Sequence, residues 1–566
     1  MRPSIRALSL SAAAVVSAAT LTAVPAAAYE TNAASNPDEA SQVEAPVPDL
    51  NWGACENAEE PAQCTTAEVP LDYDDPDGDT ITLSLIKIPA TDQDNKIGSM
   101  FWNPGGPGGS AVDSASMLPQ SLPDEVASRF DVIGIDPRGV GGSERLECSK
   151  PDDVEEVPRP DKRYPVGAEE IKANQAYDAY LAEICAATAG PIIDNMSTAD
   201  TARDMDLIRQ AVGDEQLTYY GVSYGTFLGA AYANMFPDRV RAVVTDSVVD
   251  PVEWQRGSED NGTTEPMTTR FGSDVGLQDT YEYMLAKCDE AGILACPLTG
   301  NAKARFERVR KSLREQPLTI PGVVEISDQE LTLITHQLLY SPGNYQLLAG
   351  IVKAIDFIRF PFQPPVAQSR SSQANPERAR AARLDARQGL VKLLAQATDE
   401  LRRSPLGIPV VDGLVDLLKR QPASAFEGVA CTDGENPSDP EVWTSNAAET
   451  DKVAPMGILW NWYSSPCAQW PGSDEDAYHG TFDHELSTPL LILNNTHDPA
   501  TSLASAQGLR DVSPDSRLVT VNGGGHGVLG SSACATEISS AYLLEQTLPD
   551  EDVTCDADAG PFGLAP

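Results

Sequence analysis

The stretch Leu217–Gly225, with the sequence LTYYGVSYG, contains the motif that decides the fold. A short apolar strand runs to Val222, a G-x-S-x-G motif covers residues 221–225, and a helix of small residues follows as far as Phe236. A serine at such a turn stands at a helix N-terminus, where the dipole and the free N–H groups favour developing negative charge. The context predicts a nucleophile elbow with Ser223 as the nucleophile. The alternative is a glycine-rich turn that contains a serine without a catalytic role.

Strand-like runs on both sides of this motif predict the sheet that carries it. Two of the early runs end in glycine-rich turns that lead towards helices, which is the repeating unit of a doubly wound α/β sheet. We therefore expect a mostly parallel sheet covered by helices on both faces. The predicted strands are Ile81–Ile88, Gly98–Asn103, Phe130–Ile135, Leu217–Val222, Arg241–Val249, Pro489–Asn494 and Arg517–Val521.

The pattern changes to helical stretches with few strands between Pro251 and about residue 425. The chain between Ser223 and the late strands is much longer than a helix and its connections require. The excess predicts a large inserted helical cap over the carboxyl edge of the sheet, where ligands bind in open α/β folds. The predicted organisation is a first part of the core at 49–250, the cap at 251–425, and a second part of the core at 426–566.

A serine hydroxyl needs a base and an orienting acid to act as a nucleophile. His526 lies in a glycine-rich loop after the last predicted strand, and Asp498 follows the strand before it and precedes Pro499. The Asp498 carboxylate would hold the imidazole tautomer and stabilise the imidazolium. The chain order Ser223, Asp498, His526 is that of the α/β hydrolases, so the sequence predicts that fold and this catalytic triad.

The four other histidines are weaker candidates for the base. His497 is a rival, but it adjoins the acid on a turn. We expect it to be solvated or to support the acid without taking part in the reaction. His336 has apolar neighbours in a helical stretch, which predicts a packed or surface residue. His479 and His484 have a spacing that does not fit a metal site, and no C-x-x-C occurs. The sequence therefore predicts neither a metal nor a cofactor.

Two backbone N–H groups are expected to form the oxyanion hole. One belongs to Tyr224, directly after the nucleophile, and the other is assigned to Gly106 in the loop Asn103-Pro104-Gly105-Gly106-Pro107-Gly108-Gly109. A glycine-rich loop of this kind could instead bind phosphate. It lacks the G-x-G-x-x-G register and a Walker lysine, so a nucleotide site is not predicted.

The first residues have the composition of a targeting segment. Arg2 and Arg6 precede the uncharged run Ala7–Val24, and Ala26-Ala27-Ala28 offers a cleavage site. This pattern predicts a Sec-type signal peptide at 1–28 rather than a membrane anchor, and a flexible lead-in at 29–48. The chain carries 84 acidic and 40 basic residues, a formal net charge of −44, which argues against nucleic acid and anionic membranes as partners.

The ten cysteines agree with export. An even number of cysteines in an exported chain indicates disulfides, although the sequence does not fix their connectivity and some could be free buried thiols. The close pairs Cys55/Cys64 and Cys288/Cys296 are expected to be local cross-links. The ten candidates are Cys55, Cys64, Cys148, Cys185, Cys288, Cys296, Cys431, Cys467, Cys534 and Cys555.

Taken together, these motifs resemble the exported bacterial tripeptidyl aminopeptidases, relatives of proline iminopeptidase within the α/β-hydrolase fold. The resemblance runs from about Asn51 to Cys534 and implies Ser223, Asp498 and His526 as the triad, without metal or cofactor. Proline iminopeptidases usually have histidine where this chain has Pro104, which favours the tripeptidyl branch. The motifs are the loop at 103–109, Asp136-Pro137-Arg138-Gly139-Val140-Gly141-Gly142-Ser143, the elbow at 221–225, Asp498-Pro499 and Gly524-Gly525-His526-Gly527.

The expected function is that of a secreted, monomeric serine peptidase that acts on a free peptide N-terminus and releases tripeptides. The tripeptidyl branch often has Thr-Pro after the Asp-Pro of the acid, and this chain has Ala500-Thr501-Ser502 there, which leaves substrate choice open. A carboxylesterase or an endopeptidase with the same triad is the alternative. Glu253 is a candidate contact for the substrate ammonium, or else a solvated residue at the edge of the cap.

Overall fold

A ten-stranded sheet forms the centre of the molecule, with strand order β1-β2-β3-β5-β4-β6-β7-β10-β11-β12. The computed structural model describes residues 45–56, 58, 61–320, 324–361, 376–402 and 425–564; the predicted signal peptide and most of the lead-in lie outside these residues. The strands are β1 Gly53–Ala54, β2 Gln63–Pro70, β3 Thr80–Ile88, β4 Gly98–Asn103, β5 Phe130–Ile135, β6 Leu217–Ser223, β7 Val240–Val248, β8 Leu318–Ile320, β9 Val324–Ile326, β10 Leu491–His497, β11 Arg517–Gly524 and β12 Val553–Asp556.

Pairing is parallel from β5 to β12 along this order and antiparallel only where β1, β2 and β3 join the sheet. The carboxyl ends of the parallel strands therefore meet at one edge. The mostly parallel α/β architecture predicted from the sequence is confirmed. Strands β8 and β9 form a separate hairpin.

Helices follow the strands and cover both faces of the sheet. The α-helices are α1 Ala111–Ser114, α2 Met117–Ser121, α3 Asp124–Ala127, α4 Ala168–Thr188, α5 Thr198–Val212, α6 Tyr224–Met235, α7 Pro251–Gln255, α8 Met267–Arg270, α9 Ser273–Ala291, α10 Ala302–Glu315, α11 Asp328–Leu339, α12 Tyr345–Arg359, α13 Pro376–Arg402, α14 Ala425–Asp433, α15 Glu441–Val453, α16 Ile458–Tyr463, α17 Leu503–Val512 and α18 Ala533–Glu545.

The two faces of the sheet bury different apolar clusters, because successive side chains of a strand point to opposite sides. Tyr219 packs in the cluster that contains residues of α4, α5, α6 and α17. Tyr220, the next residue of β6, packs in the cluster that contains residues of α1, α2, α3 and α18. Strand β6 is thus covered on both faces, which explains its nearly continuous apolar sequence.

Helices of the region between β7 and β10 bury a third apolar cluster of their own. It holds residues of α9 to α13, and Met456 and Trp460 join it from beyond the predicted end of the cap at 425. The sequence predicts that the second part of the core begins at 426, with its first strand at Pro489–Asn494. Helices α14, α15 and α16 come first, because tryptophans of this stretch are buried among helices, and the next sheet strand begins at Leu491. The exact domain boundaries stay a prediction.

All ten cysteines form disulfides, and no free cysteine remains. The expected local pairs Cys55–Cys64 and Cys288–Cys296 are confirmed. The other three bonds also join cysteines that are consecutive along the chain, at Cys148–Cys185, Cys431–Cys467 and Cys534–Cys555. In the described part of the chain, no helix has the length and apolar character needed to cross a bilayer.

The protein is expected to become more stable to heat when the pH falls from about 7.5 to about 5.5. Burial raises the pKa of Asp246, Asp250, Asp274 and Asp433 to about 6 and that of Asp200 to about 7. The folded state therefore takes up protons in this window that the unfolded chain, with an ordinary aspartate pKa near ~3.9, does not. Uptake by the folded state means that the free energy of unfolding rises as the pH falls.

Two buried imidazoles oppose this effect, because burial lowers the pKa of His336 to about 3 and also lowers the pKa of His479. Five carboxyl groups outweigh them, so we expect a Tm higher by roughly several degrees at the lower pH. Thermal unfolding followed by circular dichroism in high salt is the measurement, since salt screens the repulsion of the acidic surface. A lower Tm at pH 5.5 under these conditions would contradict the expectation.

Candidate active site

Ser223 stands at the sharp turn between β6 and α6. Its backbone has φ 60° and ψ −126°, a strained conformation for a residue with a side chain. The two glycines of the motif allow this turn. A Cβ on Gly221 would lie 2.3 Å from the carbonyl oxygen of Gly225, and one on Gly225 would lie 2.8 Å from that of Asn103. The G-x-S-x-G stretch therefore forms the strained strand-to-helix turn of an elbow, and the role of Ser223 as the nucleophile stays a prediction.

His526 and Asp498 meet in direct contact at the carboxyl edge of the sheet. Nδ1 of His526 lies 2.9 Å from Oδ1 and 3.0 Å from Oδ2 of Asp498. The side chains are 2% and 0% exposed. A carboxylate facing Nδ1 holds the proton there and leaves the lone pair of Nε2 available. Nε2 is buried and has no hydrogen-bond partner among the described residues. This arrangement is what a general base requires.

Asp498 is itself fixed by its own turn. Its Oδ1 accepts hydrogen bonds from the backbone N–H groups of Ala500 and Thr501, each at 2.9 Å. The Oγ1 atom of Thr501 lies 3.3 Å from Nδ1 of His526. No hydrogen bond joins Ser223 Oγ to His526 Nε2 in the described chain, and this contact is often loose in hydrolases before substrate binds.

The glycine-rich loop after β4 lies directly beside Ser223. A Cβ on Gly105 would approach Cβ of Ser223 to 2.7 Å and the amide nitrogen of Tyr224 to 3.1 Å. Gly106, the next residue, has φ 119°, which only glycine adopts without strain. The loop and the N-terminus of α6 are thus adjacent, as an oxyanion hole requires, and the roles of the Gly106 and Tyr224 N–H groups stay predictions.

The side chain of Tyr224 is buried and anchors the start of α6. Its hydroxyl lies 2.5 Å from Oγ1 of Thr198, and its ring packs 5.5 Å from that of Trp254. Burial raises the pKa of the Tyr224 phenol, which keeps the hydroxyl protonated. The backbone of this residue is therefore the part available to the site.

The other histidines take positions that fit structural roles. Nδ1 of His497 lies 2.6 Å from Asp279, and its ring stacks on Tyr283 at 4.0 Å in a partly exposed position. His336 is buried between the rings of Tyr340 and Trp460, so the packed alternative is the correct one. His484 lies against the backbone of α6, with Nδ1 2.9 Å from a carbonyl oxygen. The described residues contain no cluster of three or more metal-ligating side chains.

Glu253 does not contact the three predicted catalytic side chains. Its carboxylate accepts a hydrogen bond from the N–H of Ser258 at 3.2 Å, within the turn that follows α7. Its backbone carbonyl accepts one from Arg270 at 3.1 Å. A role in binding the substrate ammonium stays a prediction.

The helical region between β7 and β10 contributes a contact to His526 that sequence patterns did not indicate. The carbonyl of Tyr340, just after α11, accepts a hydrogen bond from the backbone N–H of His526 at 2.9 Å. The Tyr340 ring also packs edge-on against the imidazole, with ring centroids 5.0 Å apart. The two residues are far apart along the chain and share no motif, so only the folded structure brings them together.

The elbow, the His–Asp pair and the parallel sheet define the class as a serine hydrolase of the α/β-hydrolase fold. Comparison with known families agrees: a model described as alpha/beta hydrolase fold matches residues 99–269, and one described as TAP-like protein matches residues 452–555.

Three relatives cover most of the chain. Serine protease Hip1 of Mycobacterium tuberculosis is 30% identical, covering 87% of this chain and 87% of the relative. Tripeptidyl aminopeptidase of Streptomyces lividans is 28% identical, with 90% and 87% covered. Carboxylesterase B of M. tuberculosis is 30% identical, with 90% of each chain covered. The chain therefore belongs to the tripeptidyl aminopeptidase-like family of α/β hydrolases, which confirms the resemblance drawn from the motifs.

Proposed function

We propose that this serine hydrolase is an exported exopeptidase that removes short units, chiefly tripeptides, from free peptide N-termini. The observation that carries the proposal is the burial of the site beneath the cap. Ser223 is 9% exposed, and the side chains of His526 and Asp498 are almost completely covered. An endopeptidase needs an open cleft that admits chain on both sides of the cut, whereas a covered site favours a chain end.

The proposed reaction passes through an acyl-enzyme at Ser223. Oγ attacks the scissile carbonyl carbon while Nε2 of His526 takes the hydroxyl proton. The N–H groups of Tyr224 and Gly106 stabilise the oxyanion of the tetrahedral intermediate. As the intermediate collapses, Nε2 returns the proton to the leaving amine. Asp498 stabilises the imidazolium throughout.

The second half of the reaction releases the N-terminal fragment. Water enters after the shortened peptide leaves, and Nε2 of His526 takes a proton from it as its oxygen attacks the acyl carbon. The C–Oγ bond then breaks, and Ser223 regains its proton from the imidazolium. The products are the fragment with a new carboxylate and the free enzyme.

Contacts of Tyr340 with His526 and of Trp460 with Pro499 support restricted access. Tyr340 holds the backbone of His526 and covers one side of its ring. Trp460 donates its indole N–H to the carbonyl oxygen of Pro499, beside the acid, at 3.2 Å. The Tyr340 contact places the end of α11 next to His526, so we expect the cap to admit only a short piece of peptide.

Export is supported by the leader-like sequence at 1–28 and by the five disulfides. Disulfides persist in oxidising compartments and are rare in the cytosol. We propose that the protein is a monomer that acts on peptide substrates outside the cell.

Matched peptides test the proposal. A peptide of about ten residues is supplied with a free or an acetylated N-terminus, and product masses are followed over time with the wild-type protein. We expect three-residue products from the free peptide and little or no turnover of the acetylated one. Acetylation removes the ammonium charge and adds bulk at the peptide N-terminus, the end that the cap would enclose. Equal cleavage of both peptides, or cuts deep within them, would instead mean an endopeptidase.

A carboxylesterase is the second candidate, and the similarity to carboxylesterase B favours including it. Both reactions use the same acyl-enzyme, so the triad does not separate them. A p-nitrophenyl ester series is therefore run beside the peptides. Rapid ester hydrolysis with no cleavage of any free peptide would assign the esterase function and reject the peptidase.

A further inference from the structure

Strand β7 contains a bulge directly opposite the nucleophile. Val222 of β6 pairs with Asp246, but Ser223 pairs with Val248, so Ser247 is an extra residue in the ladder. Ser247 has φ 58°, an uncommon conformation for a residue other than glycine. Successive side chains of a regular strand point to opposite faces. The bulge removes this alternation, and bulges of this kind occur next to active sites.

The side chains of the bulge both reach the loop that carries His526. Oγ of Ser247 accepts a hydrogen bond from the N–H of Gly527 at 2.7 Å. The Asp246 carboxylate accepts from the N–H of Val528 at 2.7 Å and from that of Leu529 at 2.9 Å. Three consecutive amides after the base are thus attached to β7.

The same loop is held from its other side by β10. Nδ2 of Asn495 donates to the carbonyl oxygens of Gly525 and Gly527, at 3.0 and 2.9 Å. Since β7 pairs with both β6 and β10, one rigid set of three strands carries Ser223, Asp246 and Asn495. The distance between nucleophile and base therefore depends on these side-chain contacts.

We propose that Asp246 is a positioning residue for the base. It holds the His526 loop in place next to Ser223, and its buried negative charge stabilises the imidazolium. The inference rests on the catalytic role proposed for His526. Asp246 does not touch the reacting atoms, and Asp498 remains the group that contacts Nδ1. Asp246 is a second carboxylate behind the base.

The charge of Asp246 depends on its surroundings. The titratable groups that face it are Tyr220 of β6, whose hydroxyl donates at 2.9 Å, and His526. Burial raises the pKa of Asp246 to about 6, while its hydrogen-bond donors and the imidazolium charge of His526 lower it. The interaction is mutual, so ionised Asp246 stabilises the positive charge of the His526 imidazolium, and removing the carboxylate charge disfavours the imidazolium.

Asp246→Asn is the deciding variant, assayed in the full chain with a p-nitrophenyl ester and with the free peptide. We expect kcat to fall about 100-fold, because a small displacement of a catalytic group has an effect of this size. KM should change little, since Asp246 does not touch substrate. The acid limb of the pH profile of kcat/KM should move to lower pH. A purely structural role would lower kcat without moving this limb.

Asp131→Asn is the matched control. Asp131 is a buried aspartate near the start of β5, at the amino ends of the parallel strands. It accepts hydrogen bonds from the N–H of Ala90 and from Lys96 Nζ, each at 2.8 Å. This variant should lose stability but keep kcat and the pH profile. Wild-type kcat in Asp246→Asn, a loss with an unmoved acid limb, or an equal loss in Asp131→Asn would each overturn the proposal.

Ser247→Ala provides the test if Asp246→Asn does not fold. It removes one neutral hydrogen bond to Gly527 and keeps the carboxylate, so kcat should fall about tenfold with an unmoved acid limb. Wild-type kcat in this variant would overturn the proposal.

The rate of Ser223 labelling by a fluorophosphonate is measured in parallel. That rate reports on the base for a peptidase and an esterase alike, so a failed peptidase assignment would not be mistaken for a failed positioning role.

Discussion

Replacement of Ser223 by alanine is expected to lower kcat by roughly five powers of ten, with no loss of thermal stability. The triad acts as a unit, and without the nucleophile only transition-state stabilisation by the oxyanion hole and substrate binding remains. The effect should be equal for peptide and ester substrates, because both acylate the same oxygen.

The fold should tolerate this change because no described residue forms a hydrogen bond with the hydroxyl of Ser223. The hydrogen bond that stabilises the elbow goes to its backbone carbonyl, from Oγ1 of Thr226 at 2.5 Å, and alanine keeps it. Alanine is also no more strained than serine at φ 60°. Turnover, circular dichroism and Tm of the purified variant are the measurements.

Ser197→Ala is the matched control for this variant. Ser197 is also a buried serine directly before a helix, but its Oγ caps α5 by accepting from the N–H of Asp200 at 3.1 Å. Its loss should cost about 1 kcal/mol of stability and leave kcat unchanged. A correctly folded Ser223→Ala protein that keeps most of its activity, or that still reacts with a fluorophosphonate, would reject Ser223 as the nucleophile.

The sequence was sufficient to predict the elbow and the pairing of His526 with Asp498. The G-x-S-x-G motif is local, and its strained turn follows from two adjacent glycines and the change from strand to helix. Asp498 and His526 each follow a strongly apolar strand. Parallel strands bring their carboxyl ends to one edge, so side chains placed there meet even when the chain between them is long.

The contacts of Tyr340 and Asp246 with the His526 loop could not be predicted in this way. Tyr340 lies at the end of a cap helix, and neither its spacing nor its neighbours indicate that its carbonyl faces the base. Asp246 and Ser247 are consecutive residues of an apolar strand, where regular alternation places them on opposite faces. Only the bulge, a departure from regular pairing, directs both to one loop.

Asp498→Asn is expected to lower kcat by about four powers of ten at neutral pH while leaving the site nearly unchanged in shape. Oδ1 of Asp498 accepts from the N–H groups of Ala500 and Thr501, so the amide oxygen of asparagine must occupy this position. The amide nitrogen then takes the place of Oδ2, 3.0 Å from Nδ1 of His526. Two donors would face each other unless Nδ1 loses its proton.

The imidazole of the variant would therefore carry its proton on Nε2, and Nε2 could no longer accept the proton of Ser223.

Asp279→Asn is the control, because Asp279 lies 2.6 Å from Nδ1 of His497, the rival base. The side chain of Asp279 is 57% exposed. Steady-state kcat at neutral pH and the crystal structure of each variant are the measurements. We expect wild-type kcat in Asp279→Asn. A large loss there, with activity retained in Asp498→Asn, would transfer the role of base from His526 to His497.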